Sequence, residues 1–495
     1  MPSQRNTPDA MTVGTPMRPQ PDRVSGTPGA RLRDRFVTVL DCVLLALPLW
    51  IVSVVQVGRF DRVWIADHHV VEPLLALALL LPLRVSVGGA GPVSARLSRP
   101  VQRLHGALGR WRARDHRLTE VVLLLCITRI PELAVAFLAN VILPAHRLRN
   151  FYMPFESEKL AEIFAAWDSG WYFAVARYGY YTSSFGQSDV AFFPLYPLLI
   201  RTLTWPFEER IDQAIWVSGV LVSVVALTAA TLALYRLAEE WLGSRAAARR
   251  TVLYLAVFPF SFFFTRVYTE SVFLLVSVMA VAGAYRGRWW SAGVWGALTA
   301  LTRPNGILIG LPLFLMAVLD RPGWSQLRRR LTALSLVPAG LGLYCLYCWN
   351  LTGDPLYWLN AEEHWDYSVG NLPWEQLVIV SEVLVRDGFE AFLTSTEVAP
   401  YQLVHGVVGV LGMALTPLVF QRLGPAMGAY VLVSLLVPLS GSELEGIGRY
   451  TLALFPLFMA VATIESSRLR DTIVIVSTLF LALFSALFVT LHRIY

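Results

Sequence analysis

Apolar runs of about 15–25 residues recur along the chain, each closed by a short stretch rich in arginine, proline or glycine. That length suits a helix crossing the hydrocarbon core of a bilayer. A membrane β-barrel would alternate apolar and polar positions over segments of about ten residues, and these runs do not alternate. The pattern predicts an all-α polytopic membrane protein. Spans are expected near 36–57, 70–87, 118–143, 213–238, 251–267, 271–286, 289–303, 305–319, 331–350, 402–421, 425–440, 449–466 and 471–491, about 13 transmembrane helices in all. The segment AFFPLYPLLIRTLTWPF, 191–207, is interrupted by Pro194 and Pro197 and reads as interfacial or re-entrant rather than as a further span.

Arginine placement sets the expected orientation, because loops rich in Lys and Arg stay on the cytoplasmic side. Arg18, Arg23, Arg31, Arg33 and Arg35 precede the first span. Arg96, Arg99, Arg103, Arg110, Arg112, Arg114 and Arg117 face a single acid, Asp115, in the segment 88–117. Arg245, Arg249, Arg250, Arg286, Arg288, Arg422, Arg468, Arg470 and the RRR run at 328–330 follow at the corresponding turns. With these inside, the N-terminus is cytoplasmic, and 144–213 and 351–401 are large extracytoplasmic loops. The second of these carries nine acids and one arginine, a net charge of −8. Residues 1–35, rich in Pro, Thr and Arg and without an apolar core, read as a disordered cytoplasmic tail and not as a signal peptide.

Composition sharpens this picture in three places. Only 15% of residues are charged, where soluble domains carry about 25%. The net charge of +6 is carried by arginine, since Lys159 is the only lysine, and its placement between spans is that of a membrane protein and not of a nucleic-acid surface. The four cysteines all lie in apolar runs; Cys345 and Cys348 have a redox-like spacing but no second ligand pair, so packing is their expected role. His364 and His405 are single histidines without ligand spacing, and no metal site is predicted.

The unusual polar clusters all fall on the expected outer side. FAAWDSGWYFAVARYGYY (164–181) places Asp168 among Trp167, Trp171 and Tyr172. FTRVYTES (264–271) holds Arg266, Tyr268 and Glu270; LTRPNG (301–306) holds Arg303 and Asn305; SGSELEGIGRY (440–450) holds Glu443, Glu445, Arg449 and Tyr450. The acidic loop adds Trp358, His364, Trp365 and Asp366. Charges at a membrane are costly and usually face a cavity or a partner, so five clusters on one face predict a single outward-facing site. A carboxylate acts as general base on a hydroxyl, arginines clamp phosphate, and Trp and Tyr stack on sugar faces. Together these describe glycosyl transfer from a lipid-phosphate sugar. Asp168 would be the base, with Arg266, Arg303 or Arg449 on the departing phosphate and inversion at the anomeric carbon. No Gly-rich phosphate loop occurs, which argues against a nucleotide donor.

The blander readings are equally concrete. Asp168 would cap a helix or pair with Arg177. Arg266 and Glu270, four apart, would pair with each other at a helix end. Arg449 would pair with Glu443 or Glu445. Trp358 and Trp365 would be belt anchors, and Phe193 and Tyr196 would serve packing or a lipid-tail groove. Rival functions are a lipid or solute transporter, a membrane glycosyltransferase using another lipid-linked sugar such as arabinofuranose, galactofuranose or glucose, and an assembly protein without catalysis. The absence of an internal repeat weakens the transporter reading.

WDSGWYFAVARYGY followed by AFFPLYP resembles the bacterial branch of the PIG-V mannosyltransferase family, related to the second mannosyltransferase of GPI-anchor synthesis. YTES (268–271), TRPNG (302–306) and the GRY (448–450) and FP (455–456) pieces are similar to motifs in the same order. The resemblance implies a GT-C fold, a polyprenyl-phosphate mannose donor and a catalytic aspartate in the first large outer loop, at Asp168. It implies donor phosphate or sugar contact by Arg266, Tyr268, Glu270, Arg303, Asn305, Arg449 and Tyr450. Trp167, Trp171, Tyr172, Phe193, Tyr196 and Trp365 would supply aromatic lining. Two spans before the one leading to the motif loop, and the long polar tail, depart from the simplest family pattern. The expected organisation is a tail (1–35), two spans with a basic segment (36–117), a catalytic membrane domain (118–466) and a C-terminal span (467–495). No cofactor is implied, a divalent metal stays open, and the arginine-rich composition suggests a bacterial plasma membrane. The acceptor would be a glycan, a glycolipid or a protein hydroxyl.

Overall fold

The computed structural model describes residues 116–146, 159–181, 188–205, 211–363, 370–393, 395 and 398–494. The expected tail 1–35, the spans near 36–57 and 70–87, most of the basic segment 88–117, and Trp365 lie outside the described residues.

Every regular element of the described residues is helical. Five helices are long and apolar enough to cross a membrane: His116–Ile142, Asp212–Leu242, Trp324–Thr352, Tyr401–Leu423 and Ser467–Val489. They coincide with expected spans. Glu270–Tyr285, Pro304–Leu319 and Pro425–Leu439 are shorter apolar helices at expected positions.

Proline breaks two of the other expected spans. Phe258 precedes Pro259 and is extended (ψ 137°), which ends the Arg245–Val257 helix; the 3-10 turn Ser261–Thr265 follows. The expected span 449–466 is two pieces, Ile447–Ala453 and Phe455–Val461, with Pro456 in the first turn of the second. Within 191–207 the helix Leu195–Thr204 has ten residues, about 15 Å of rise, half a bilayer core.

The long helices face outward with their apolar sides. His116–Ile142 exposes Leu123, Ile127 and Ile130, spaced four and three apart on one stripe. The same helix buries Arg129, Glu132 and Asn140. Apolar stripes turned outward and polar groups turned into the bundle suit a lipid environment, where inward-facing charges are paired.

Glu270–Tyr285 buries 13 of its 16 residues and runs through the middle of the packing. Its two ends are chemically distinct. Past Tyr285, Arg286 donates to Glu240 at 2.8 Å, and Glu120 receives Arg245 at 2.8 Å and Arg249 at 2.6 Å. These are arginines expected inside. At the other end, about 24 Å away along the helix, stands Glu270.

Candidate active site

Asp168 is placed by a turn whose conformation is unusual. Trp167, just before it, has φ +57°, a left-handed backbone that costs a bulky residue of order 1–3 kcal/mol. Tyr268 holds that turn from 100 residues away. Its hydroxyl donates to the Ala166 carbonyl at 3.0 Å and accepts the Asp168 N–H at 3.1 Å. Next to it, the Val267 N–H donates to the Phe164 carbonyl at 3.0 Å. Tyr268 is fully buried, so the structure gives it a positioning part at Asp168, in place of the expected donor contact.

From this turn the Asp168 side chain reaches Arg449, 281 residues on. Arg449 Nη1 lies 2.8 Å from Asp168 Oδ2, and Arg449 Nε lies 2.7 Å from Glu270 Oε1. Arg303 Nη2 lies 2.6 Å from the same Glu270 oxygen. Four charges thus form a chain, Asp168–Arg449–Glu270–Arg303, with two of each sign. Glu270 is inaccessible, Arg303 and Arg449 are nearly so, and Asp168 keeps 21% of its side chain accessible. The face of Tyr268 lies 4.8 Å from the Arg449 guanidinium and that of Tyr450 5.8 Å from the Arg303 guanidinium.

Local sequence explains each placement. Arg303 precedes Pro304, which forces extended backbone (φ −157°, ψ 156°) and swings the side chain off the Trp289–Ala300 helix toward Glu270. Gly306 of the same motif packs where a Cβ would meet the Thr299 carbonyl oxygen at 2.1 Å. Glu270 opens its helix, where a negative charge is favoured.

The site contains unsatisfied polar atoms. Arg303 Nη1, Glu270 Oε2, Thr269 Oγ1, Asn305 Oδ1 and Thr451 Oγ1 are buried without a hydrogen-bond partner among the described residues. Buried polar atoms are normally paired, so this concentration marks a place for a polar ligand or water. Among the described residues no group of three or more His, Cys, Asp or Glu side chains is arranged to hold a metal ion.

Several sequence expectations are corrected. Asp168 occupies the N-cap position of Ser169–Tyr178 but makes no side-chain cap bond, and Arg177 pairs with Asp212 at 2.8 Å instead. Arg266 contacts neither Glu270 nor the open cluster. Residues between the 3-10 turn and Glu270 are not helical, so a spacing of four does not bring the pair together. Arg266 is fully buried against Glu132 at 2.6 Å, with Ser485 Oγ accepting from it at 3.0 Å, which removes it from the phosphate-holding candidates. Glu443 and Glu445 do not take Arg449; both accept from the Tyr401 hydroxyl, at 3.1 and 3.4 Å. Tyr196 is interior packing, its hydroxyl bonded to the Gly219 carbonyl and Ser223. Phe193 packs edge-on to Trp358, and Tyr172 is buried against Phe192, Tyr196 and Tyr268. Trp171 stacks on Phe192 at 5.8 Å. No local sequence signal marks Glu132, Tyr401, His405 or Thr451 as site-supporting residues; Thr269 lies inside the YTES motif (268–271).

Glu445, in the loop before Ile447, is pushed up to about 7 by burial. Glu443 and Asp168 add to that shift, and Arg493 and Arg449 oppose it.

A family model described as Mannosyltransferase (PIG-V) matches residues 119–333. That range includes Asp168, Glu270 and Arg303 and stops short of Arg449. The chain is 29% identical over 210 residues to the GPI alpha-1,6-mannosyltransferase 2 of Rattus norvegicus, covering 39% of this chain and 42% of that protein. It is 26% identical over 236 residues to the GPI mannosyltransferase 2 of Yarrowia lipolytica, covering 42% of this chain and 65% of the relative. The match therefore spans less than half the length of the rat relative. Among solved structures, an archaeal oligosaccharyltransferase of Archaeoglobus fulgidus in complex with an inhibitory peptide and a dolichol-phosphate aligns with a TM-score of 0.38 and 12% identity, over 77% of this chain and 56% of that one. Over residues 119–333, the family whose model matches is the one that the Asp168 motif and its companions resemble.

Proposed function

We propose that the chain is a multi-pass membrane glycosyltransferase of GT-C type. It moves a sugar, most simply mannose, from a polyprenyl-phosphate donor to a glycan, glycolipid or protein hydroxyl on the extracytoplasmic side. One observation carries the reading. An accessible carboxylate shares a buried, neutral four-charge chain with two arginines that retain unused donors. Asp168 Oδ2 is committed to Arg449, while Oδ1 carries no hydrogen bond among the described residues. Arg449 Nη2 is likewise unused, and Arg303 Nη1 is buried and unpaired. Mannose as the sugar rests on the names of the relatives.

The reaction follows from these open positions. The acceptor hydroxyl passes its proton to Asp168 Oδ1 as its oxygen bonds to the anomeric carbon. The bond from that carbon to the phosphate oxygen breaks, and its electron pair leaves with the lipid phosphate. Attack and departure on opposite faces invert the anomeric centre. Arg303 and Arg449 donate charge-assisted hydrogen bonds to the phosphate as its charge grows. Glu270 holds both guanidinium groups in place before the donor arrives.

The test uses the purified full chain with polyprenyl-phosphate mannose and candidate acceptors. Asp168→Asn is expected to keep donor binding and lose transfer by about 10²- to 10⁴-fold, the usual contribution of a general base. Equal turnover by both proteins would remove the base assignment. Lipid translocation without product would make the chain a transporter.

A further inference from the structure

The helix that carries Arg449 cannot cap itself. Ile447–Ala453 opens after Gly446, which has φ +76° and no side chain to accept a first-turn N–H. The first N–H groups of a helix have no acceptor within it. The Tyr450 N–H reaches the Gly446 carbonyl at 2.9 Å, so the helix proper begins there. The Gly448 N–H is left over, inside the protein.

His405 takes it. This histidine is fully buried on Tyr401–Leu423, and its Nδ1 accepts the Gly448 N–H at 3.1 Å. To accept there, the neutral ring must carry its proton on Nε2. Contact on the other side is equally close. A Cβ at position 448 would fall 2.4 Å from the Phe260 ring, and that ring packs 5.2 Å from the His405 ring. One turn earlier on the same helix, Tyr401 holds Glu443 and Glu445. Two side chains four apart on one helix therefore grip both ends of the 443–448 segment, and the next residue is Arg449.

We infer that His405 is a positioning residue for Arg449, supplying from a separate helix the N-terminal cap that fixes the guanidinium between Asp168 and Glu270. The inference rests on the proposed transferase reading for its kinetic consequence, but its structural content does not. Without the cap, the first turn of Ile447–Ala453 loosens and Arg449 is no longer held at both carboxylates. Bulk at position 405 is not enough; an acceptor at the Nδ1 position is required.

The experiment compares His405→Leu, which keeps bulk and removes the acceptor, with His405→Asn, whose Oδ1 stands near the Nδ1 position. Hydrogen–deuterium exchange of the 446–453 segment in the full-length protein is read alongside donor KM and kcat. His405→Leu is expected to speed exchange there about tenfold and to raise KM for polyprenyl-phosphate mannose by a similar factor. His405→Asn should recover most of both. An Arg449→Lys change added to His405→Leu should cost less than the two single losses combined. Unchanged exchange at 446–453 in His405→Leu, or equal losses in the Leu and Asn variants, would overturn the inference. A wild-type protein with no transfer activity would count against the transferase reading alone, and the exchange comparison would still decide the positioning.

Discussion

Arg266 is fully buried and Arg449 nearly so, each paired with carboxylates, and the difference between them separates structure from chemistry. Arg266 meets Glu132 with neither side chain more than 2% accessible, and Ser485 closes the pair. It lies between the rings of Phe164 and Phe262. Arg449 keeps 12% of its side chain accessible, and the chain of charges it joins ends at Asp168, which a solute can reach. A closed ion pair fixes the packing of two helices and the non-helical segment between Thr265 and Glu270. An ion chain with one open end and unused donors can do work on a ligand. Burial and pairing alone do not distinguish the two; access does.

The largest effect that would break this comparison is at the open centre. Arg449→Gln leaves Asp168 and Glu270 without their shared cation, and transfer should fall by about 10²- to 10³-fold, the scale of losing one preorganised donor to a growing negative charge. A steady-state assay that finds transfer within severalfold of wild type would place the phosphate contact elsewhere. At the closed centre the effect should appear in stability. Arg266→Met strands the Glu132 charge and should destabilise by about 3–5 kcal/mol, whereas Arg266→Met with Glu132→Leu removes both charges and should regain most of it. Denaturation of the detergent-solubilised protein reads this directly, and the double variant should still transfer. Loss of transfer in a stable double variant would mean that the closed pair is not merely structural.

The smallest effect concerns Glu445. Burial raises its carboxyl to about 7, above the ordinary 4.5, so the folded protein holds a proton there that the unfolded chain has released. Bound protons then favour folding at low pH, and the contribution is lost as pH rises through about 7. Glu445→Gln should flatten the decline in melting temperature between about pH 4.5 and about 7. An identical pH profile in the variant would show that Tyr401 and Arg493 fully offset the burial.

Much of this was legible without coordinates. The long spans, the Asp168 motif and the gathering of Asp168, Glu270, Arg303 and Arg449 at one site follow from apolar run length and arginine placement. Pro304 beside Arg303 and Gly306 after it signal a break whose geometry matters. The errors are instructive. A spacing of four at Arg266 and Glu270 suggested a helical pair, but the chain between them is not helical. Glu132 was unremarkable inside an apolar run, and nothing local marked it as the partner of Arg266. His405 looked like an isolated histidine because its partner is a backbone N–H 43 residues away.

The chain by itself determined a helical membrane protein with aromatic and charged motifs at helix ends, because apolar run length and proline act locally on the backbone. Tertiary structure alone decided which arginine meets which carboxylate, which pair is closed, and which carboxylate remains open. Those choices join residues from 33 to 281 positions apart, and burial makes each unpaired charge costly enough that only one pairing persists.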